Sequence, residues 1–253
     1  MHTELSGWEF WVLSALIVGF DIFLTTLILV GVRKALGASG QDPAKVRQTV
    51  LVLGLILFGW FGIALWLTWR GVFGSALGQP VPYVPFAIGI PIVVGTFLLR
   101  GSEAVGTLVK AVPQQWLVGV QVSRVIGGIF VILLAAGQLP AVFALPAGYG
   151  DLIVGVTALI VAARCRRARE DHFVRLWNWF GLADLIVAAA TGFLSSPSRT
   201  QLFSLDAPNL LIGSFPLGMI PVYAVPLFVV LHFASLMKLH QDHRAASPKM
   251  ATI

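Results

Sequence analysis

The sequence predicts an all-α integral membrane protein, a bundle of seven transmembrane helices with its amino terminus outside and its carboxyl terminus in the cytoplasm. Three observations predict it: the composition, the spacing of seven apolar runs, and the distribution of Lys and Arg among the loops. Hydrophobic residues make up 57% of the 253 residues and charged residues 11%, whereas a soluble domain carries roughly a quarter charged residues. The composition therefore indicates a chain that has the lipid bilayer as its solvent.

Seven apolar runs are long enough to cross a bilayer, because a hydrocarbon core ~30 Å thick needs about 20 helical residues per crossing. They cover approximately residues 8–32, 48–69, 81–100, 112–136, 142–163, 174–195 and 215–239. We expect them to form a single polytopic domain, followed by a short flexible tail over residues 240–253. The third run is the least regular, since it contains Pro82, Pro85 and Pro91.

The cations lie in alternate loops. Fourteen of the 17 Lys and Arg residues fall within 33–47, 100–110, 164–175 and 238–249. The opposite loops hold Arg70 and Arg199, and Arg124 lies inside the fourth run. Since Lys and Arg near span ends are retained in the cytoplasm, the cation-rich side is predicted to be inside, in a cell inner membrane. The net charge of +6 follows this pattern, so we expect the bilayer and no nucleic acid as a partner.

Tryptophans lie near several predicted span ends, where amphipathic rings prefer the interface between membrane and water. They are Trp8, Trp11, Trp66, Trp69, Trp116, Trp177 and Trp179. The pattern predicts interfacial aromatic belts.

Four ionisable side chains lie inside the runs, roughly nine to thirteen residues from a span end. They are Asp21, Arg124, Asp151 and Asp184. Such a group at mid-bilayer costs ~2.5–3.5 kcal/mol on insertion scales, so each is a candidate for function. Small residues share the helix face of Asp151 and predict that it points into the bundle. They are Ala144, Ala147, Gly148, Gly155 and Ala158.

Arg124 is expected to pair with Asp151 or Asp184, because a guanidinium binds a carboxylate through charge-assisted hydrogen bonds. Burial disfavours charge, so with three carboxyl groups against one guanidinium we expect at least one carboxyl group to carry a proton at neutral pH. The resulting substrate or proton site would comprise Asp21, Gln121, Arg124, Asp151, Asp184 and His232. It predicts a proton-coupled carrier of a small solute. The same groups would alternatively serve only to lock the bundle.

The spans around Asp151 and Asp184 also match each other over a short stretch. Gly148-Tyr-Gly-Asp151-Leu-Ile-Val aligns with Gly181-Leu-Ala-Asp184-Leu-Ile-Val. Since consecutive spans run in opposite directions, the match is consistent with an inverted pair of the kind that transporters build around a midplane site.

A rival hypothesis is an intramembrane metal enzyme. Its ligands would be Asp21, Asp151, Asp184 and His232, which offer oxygen and nitrogen donors. A single membrane histidine and the nearby fixed charge of Arg124 argue against it, and a receptor-like or accessory subunit is a further alternative. We predict no catalytic residues and no cofactor. Two-histidine haem ligation lacks a second histidine at membrane depth, and a retinal Schiff base lacks a lysine inside the last span, where Lys238 lies at the cytoplasmic edge. The sequence indicates no oligomeric state.

Four segments carry a resemblance to a known group of proteins. They are Gln121-x-x-Arg124, Phe143-Ala-Leu-Pro-Ala-Gly-Tyr-Gly-Asp151, Trp177-Asn-Trp-Phe-Gly-Leu-Ala-Asp184-Leu, and Ile220-Pro through Leu231-His232. In these the chain resembles a widespread family of uncharacterised bacterial multi-pass membrane proteins, over roughly its last half. The resemblance implies a shared helical fold and no established activity.

Overall fold

The computed structural model describes residues 7–74, 83–165 and 171–246. Within these ranges the chain forms helices joined by turns and loops, without a β-strand. The described α-helices are α1 (Gly7–Ala38), α2 (Pro43–Trp69), α3 (Val84–Gly101), α4 (Glu103–Ala111), α5 (Gln114–Gly119), α6 (Gly128–Ala135), α7 (Ala141–Arg164), α8 (Asp171–Ser195) and α9 (Val225–Ala246). A 3-10 helix (Val120–Gly127) joins α5 to α6, and a π-helical turn (Ile220–Ala224) leads into α9.

Seven helical stretches in the described part of the chain are long and apolar enough to cross a membrane. They are Gly7–Ala38, Pro43–Trp69, Val84–Gly101, Gln114–Ala135, Ala141–Arg164, His172–Ser195 and Ile220–His243. The predicted all-α fold with seven candidate spans is therefore confirmed, and the protein is a multi-pass membrane protein.

The ends of the spans differ from the predicted ones at several places. α1 continues to Ala38, and the last span begins at Ile220 because residues 215–218 form turns. α9 continues to Ala246, well into the segment predicted as a flexible tail. Residues 247–253, and the start of the third predicted run, lie outside the described residues.

Local sequence explains how individual helices begin. Asp42 caps α2 by accepting a hydrogen bond from the Ala44 amide at 3.1 Å, and Pro43 occupies the first helical position. Ser102 separates α3 from α4 and caps α4 through the Val105 amide at 3.4 Å. Capping oxygens satisfy amides that have no partner in the first turn of a helix.

The fourth span is not one continuous α-helix. Its middle is the 3-10 helix, which carries Gln121 and Arg124 and lies against α7. A Cβ added at Gly155 of α7 would lie 2.8 Å from the Val125 amide nitrogen. The small-residue face predicted around Asp151 is therefore where α7 receives this segment, and its members are buried. Close packing of this kind is how membrane helices associate.

The prediction of interfacial tryptophans is wrong for Trp177. Its side chain is buried, its indole nitrogen donates to Thr157 Oγ1 at 2.9 Å, and its ring lies 5.5 Å from the His232 ring. Trp8, Trp11, Trp66, Trp69 and Trp179 are exposed on the bundle surface. Trp177 therefore belongs to the interior of the bundle.

Candidate functional site

Arg124 is the centre of a polar cluster inside the bundle. Its side chain is fully buried. Its Nε donates to Asp151 Oδ1 at 2.7 Å, and its Nη2 forms an ion pair with Asp184 Oδ2. Its Nη1 donates to the Gly181 carbonyl at 3.1 Å. The sequence predicts Asp151 or Asp184 as the partner of Arg124. In the structure the guanidinium binds both carboxylates.

His232 completes the shell around Arg124. Its Nε2 lies 3.4 Å from Arg124 Nη1, and its Nδ1 lies 2.9 Å from Asn178 Oδ1. The Asn178 amide nitrogen donates to the Val174 carbonyl at 2.8 Å, which fixes the amide with its oxygen toward His232. Nδ1 therefore carries the hydrogen and Nε2 accepts, so His232 is neutral in this arrangement. We call Arg124, Asp151, Asp184, His232 and Asn178 the Arg124 cluster.

Glycines make room for the cluster. A Cβ at Gly127 would collide with the Asp151 side chain, and one at Gly150 would collide with the Asp184 carboxylate. A Cβ at Gly181 would lie 2.5 Å from His232 Cε1. Each of these glycines therefore permits a polar side chain to reach Arg124.

Gln121 lies one turn of the 3-10 helix before Arg124 but contacts a different helix. Its amide nitrogen donates to the Phe228 carbonyl of α9 at 3.2 Å. Its Oε1 is buried and has no hydrogen-bond partner in the described part of the chain. Gln121 thus joins the 3-10 helix to α9 beside the cluster.

Asp21 is the predicted site residue on α1. It is fully buried, and neither carboxyl oxygen has a hydrogen-bond partner among the described residues. Thr25 Oγ1 donates to the Asp21 carbonyl at 2.7 Å and lies 2.6 Å from the Tyr223 hydroxyl, which therefore donates to Thr25. Among the described residues no hydrogen bond or ion pair joins Asp21 to the other members of the predicted substrate or proton site, so its place in that site stays a prediction. Tyr223, in the π-helical turn, also lies 3.4 Å from the Leu57 carbonyl. Thr25, one turn after Asp21, is thereby linked to α2 and to that turn.

The cluster holds one more carboxylate than it has cations. With His232 neutral, Arg124 carries one positive charge against Asp151 and Asp184. Both carboxylates ionised would leave a formal charge of minus one in the middle of the span. Such a charge is costly unless a proton or another cation balances it.

A cavity of about 340 Å³ lies beside the cluster. Asp151 is one of its walls, and Ser196 is the other polar residue in the lining. The remaining walls are Val84, Pro85, Ile88, Gly89, Phe130, Phe143, Leu185, Ala188, Ala189, Ala190, Gly192, Phe193, Ile212, Ile220, Pro221 and Val225. These residues belong to the half of the bundle at which α2, α6 and α8 end, which we call the cation-poor end. The cavity therefore runs from that end to the depth of Asp151.

The geometry does not gather the proposed metal ligands at one point. Asp151 and Asp184 bind Arg124, His232 directs Nδ1 to Asn178, and Asp21 lies on another helix. Among residues 7–74, 83–165 and 171–246, no group of three or more His, Cys, Asp or Glu side chains is placed to hold a metal ion. Nothing in this geometry favours the metal-enzyme hypothesis.

Sequence reasoning did not identify Asn178, Trp177 or Tyr223 as part of the polar interior. Asn178 carried a usable signal, because it is a polar amide in an apolar run and lies three residues before Gly181. Helical spacing places these positions near one face. Tyr223 carried none, since its direction depends on the π-helical turn.

Comparison with known proteins gives a family without an assigned activity. A family model described as Domain of unknown function (DUF8737) matches residues 81–240. The match includes every member of the Arg124 cluster and leaves Asp21 outside. No curated protein matches the chain, and no solved structure matches it. The resemblance to an uncharacterised family is thereby confirmed.

Proposed function

The chain belongs to the Domain of unknown function (DUF8737) family, and we propose that it is a proton-coupled transporter of a small solute in a bacterial inner membrane. One observation carries the proposal. Asp151 hydrogen-bonds to Arg124 and at the same time lines the cavity. A carboxyl group in that position sets the net charge of the cluster and also contacts any solute that enters the cavity.

Coupling follows from the excess carboxylate. A proton bound to Asp151 or Asp184 removes the unbalanced charge of the cluster, and so does a solute that brings a compensating group to Asp151. The two ligands therefore compete for one charge. The protonated state and the solute-bound state would have to differ in which end of the bundle is open. Proton binding then shifts the population from one state to the other and so drives the solute across the membrane.

The arrangement of α7 and α8 supports a transport role. The two helices are antiparallel neighbours, and each supplies an aspartate from its middle to the same guanidinium. Their sequences match around Gly148 to Asp151 and Gly181 to Asp184. Transporters commonly place a midplane site between segments that are related by inverted topology.

The distribution of cations gives the cavity a direction. With the cation-rich loops in the cytoplasm and the amino terminus outside, the cation-poor end faces outward. The cavity then opens in the outer half of the membrane, and Asp151 lies at its inner limit. The structure would represent an outward-directed arrangement of the carrier.

The test is proton movement in liposomes that contain the purified protein and an internal pH dye. Candidate solutes added outside should move protons with the natural chain and should give only the protein-free background with Asp151→Asn. Asp206→Asn, at an exposed loop position, is the matched control and should retain the flux. Equal flux for Asp151→Asn and the natural chain would remove Asp151 from the mechanism.

A second candidate function is structural. Arg124 directs all three of its nitrogen atoms to partners, which is what a lock between helices requires. In that case Asp151→Asn would lower stability while no solute produced flux with either chain. Combined flux and unfolding measurements therefore separate the two functions.

A further inference from the structure

We propose that the cavity binds an amphiphilic cation: a small apolar body that carries one protonated amine, with the ammonium group at Asp151. The binding site is assigned from the cavity itself. The transport of this ligand rests on the proposed function, whereas its binding does not.

The walls define the body of the ligand. Of the residues that line the cavity, Asp151 and Ser196 are polar, and the others are aliphatic, aromatic, proline or glycine. An apolar surface of this kind favours a ligand that leaves water or lipid without losing hydrogen bonds. The volume of about 340 Å³ is roughly twice the ~150 Å³ that accepts a benzene molecule, so a single ring with a short chain fits.

The charge defines the head of the ligand. Asp151 belongs to a cluster in which two carboxylates face one guanidinium. An anionic head would add to the existing negative charge, and a neutral head would leave it unbalanced. An ammonium group offers three donors and one positive charge, so it both balances the cluster and hydrogen-bonds to the Asp151 carboxylate.

The position of the cavity defines a route of entry. Ala190 is exposed on α8 and also lines the cavity. The cavity therefore reaches the surface of the bundle within a membrane-crossing helix. An amphiphilic amine dissolved in the bilayer meets such an opening directly, whereas a strongly hydrated solute does not.

The experiment uses three ligands that have the same body and different heads: phenylbutylamine, phenylbutanol and phenylbutyrate. Their binding to the full chain in lipid nanodiscs is measured by equilibrium dialysis, with empty nanodiscs to subtract partitioning. The amine should bind about ten- to a hundredfold more tightly than the alcohol, which is the range expected for one hydrogen bond to a charged group. The carboxylate should bind most weakly.

Two substitutions separate the head site from the body site. Asp151→Asn should remove the preference for the amine over the alcohol while both still bind. Ala188→Phe fills the cavity from α8 and should remove the binding of both. Ala183→Phe, at an exposed position of the same helix, is the matched control and should leave binding unchanged. The Phe pair tests the site even if Asp151→Asn does not fold.

The possible results distinguish this site from the proposed function. Equal binding of amine and alcohol by the natural chain, or an amine preference that survives Asp151→Asn, would overturn the ligand assignment. So would equal binding by Ala188→Phe and Ala183→Phe. Proton movement coupled to an anionic or neutral solute would then still support transport. Conversely, selective amine binding without proton movement would support the site and refute the transporter.

Discussion

Replacing Arg124 by methionine tests whether the charge of the guanidinium holds the cluster together. The substitution keeps an unbranched apolar chain but removes the donors to Asp151, Asp184 and the Gly181 carbonyl. The two carboxylates of the cluster then remain without their cation. Removing one partner of a buried ion pair costs about 3–5 kcal/mol, and the loss of several charge-assisted hydrogen bonds belongs to the same range. We expect Arg124→Met to lower the free energy of unfolding by about 3–5 kcal/mol.

The assay is equilibrium unfolding of the purified protein in mixed micelles, followed by tryptophan fluorescence. Arg199→Met is the matched control, since Arg199 is exposed on a loop, and it should change the free energy of unfolding by less than about 0.5 kcal/mol. A triple variant that combines Arg124→Met with Asp151→Asn and Asp184→Asn removes the unbalanced charges. It should recover more than half of the loss, because amides without charge cost less to bury than carboxylates.

Two results would refute this reasoning. A loss of less than about 1 kcal/mol in Arg124→Met would mean that the carboxylates do not depend on the guanidinium. A triple variant no more stable than Arg124→Met would mean that shape, and not charge, accounts for the loss.

Two further substitutions test the surroundings of the cluster. Gly150→Ala places a Cβ against the Asp184 carboxylate and should push that carboxylate away from Arg124. We expect it to lower the free energy of unfolding by about 1–3 kcal/mol. Gly59→Ala has nothing within 4 Å of the added Cβ and should leave the free energy of unfolding unchanged or raise it by up to about 1 kcal/mol. Equal shifts of the unfolding temperature in Gly150→Ala and Gly59→Ala would contradict the close approach of Gly150 to the Asp184 carboxylate. Asp21→Leu should leave the free energy of unfolding unchanged or raise it by up to about 3 kcal/mol, because it removes a buried carboxyl group whose oxygens have no hydrogen-bond partner among the described residues. A clear drop in the unfolding temperature would show that the Asp21 side chain has a stabilising contact.

The number of spans was predictable because bilayer thickness fixes their length, and the meeting of Arg124 with Asp151 and Asp184 was predictable because an isolated charge at that depth is costly. Counting residues from the span ends placed all three at a common depth. Counting also placed Asp21 there, although no hydrogen bond or ion pair among the described residues joins it to the other three. Depth follows from the sequence, whereas the direction in which α1 faces its neighbours depends on packing that the sequence of one helix does not contain.

Trp177 shows a second limit of predicting a side chain's environment from its position along a span. Its place near the start of α8 is typical of an interfacial residue, yet its ring packs on His232 and its nitrogen binds Thr157. A tryptophan has an apolar ring system and one hydrogen-bond donor. It is therefore suited both to the membrane interface and to a buried position beside a hydrogen-bond acceptor. Only the presence of Thr157 on the facing helix decides between them.

The 3-10 helix explains how one short segment supplies so many of the contacts. In an α-helix, residues three apart diverge around the axis, whereas in a 3-10 helix they lie directly above one another. Gln121, Arg124 and Gly127 therefore form one row, which meets the Phe228 carbonyl, the two carboxylates and the Asp151 side chain in turn. An α-helical fourth span would rotate Gln121 and Gly127 away from Arg124. Because 3-10 segments inside longer helices often mark hinges, a shift of this segment toward α-helix would break up the row and change how Arg124 meets Asp151.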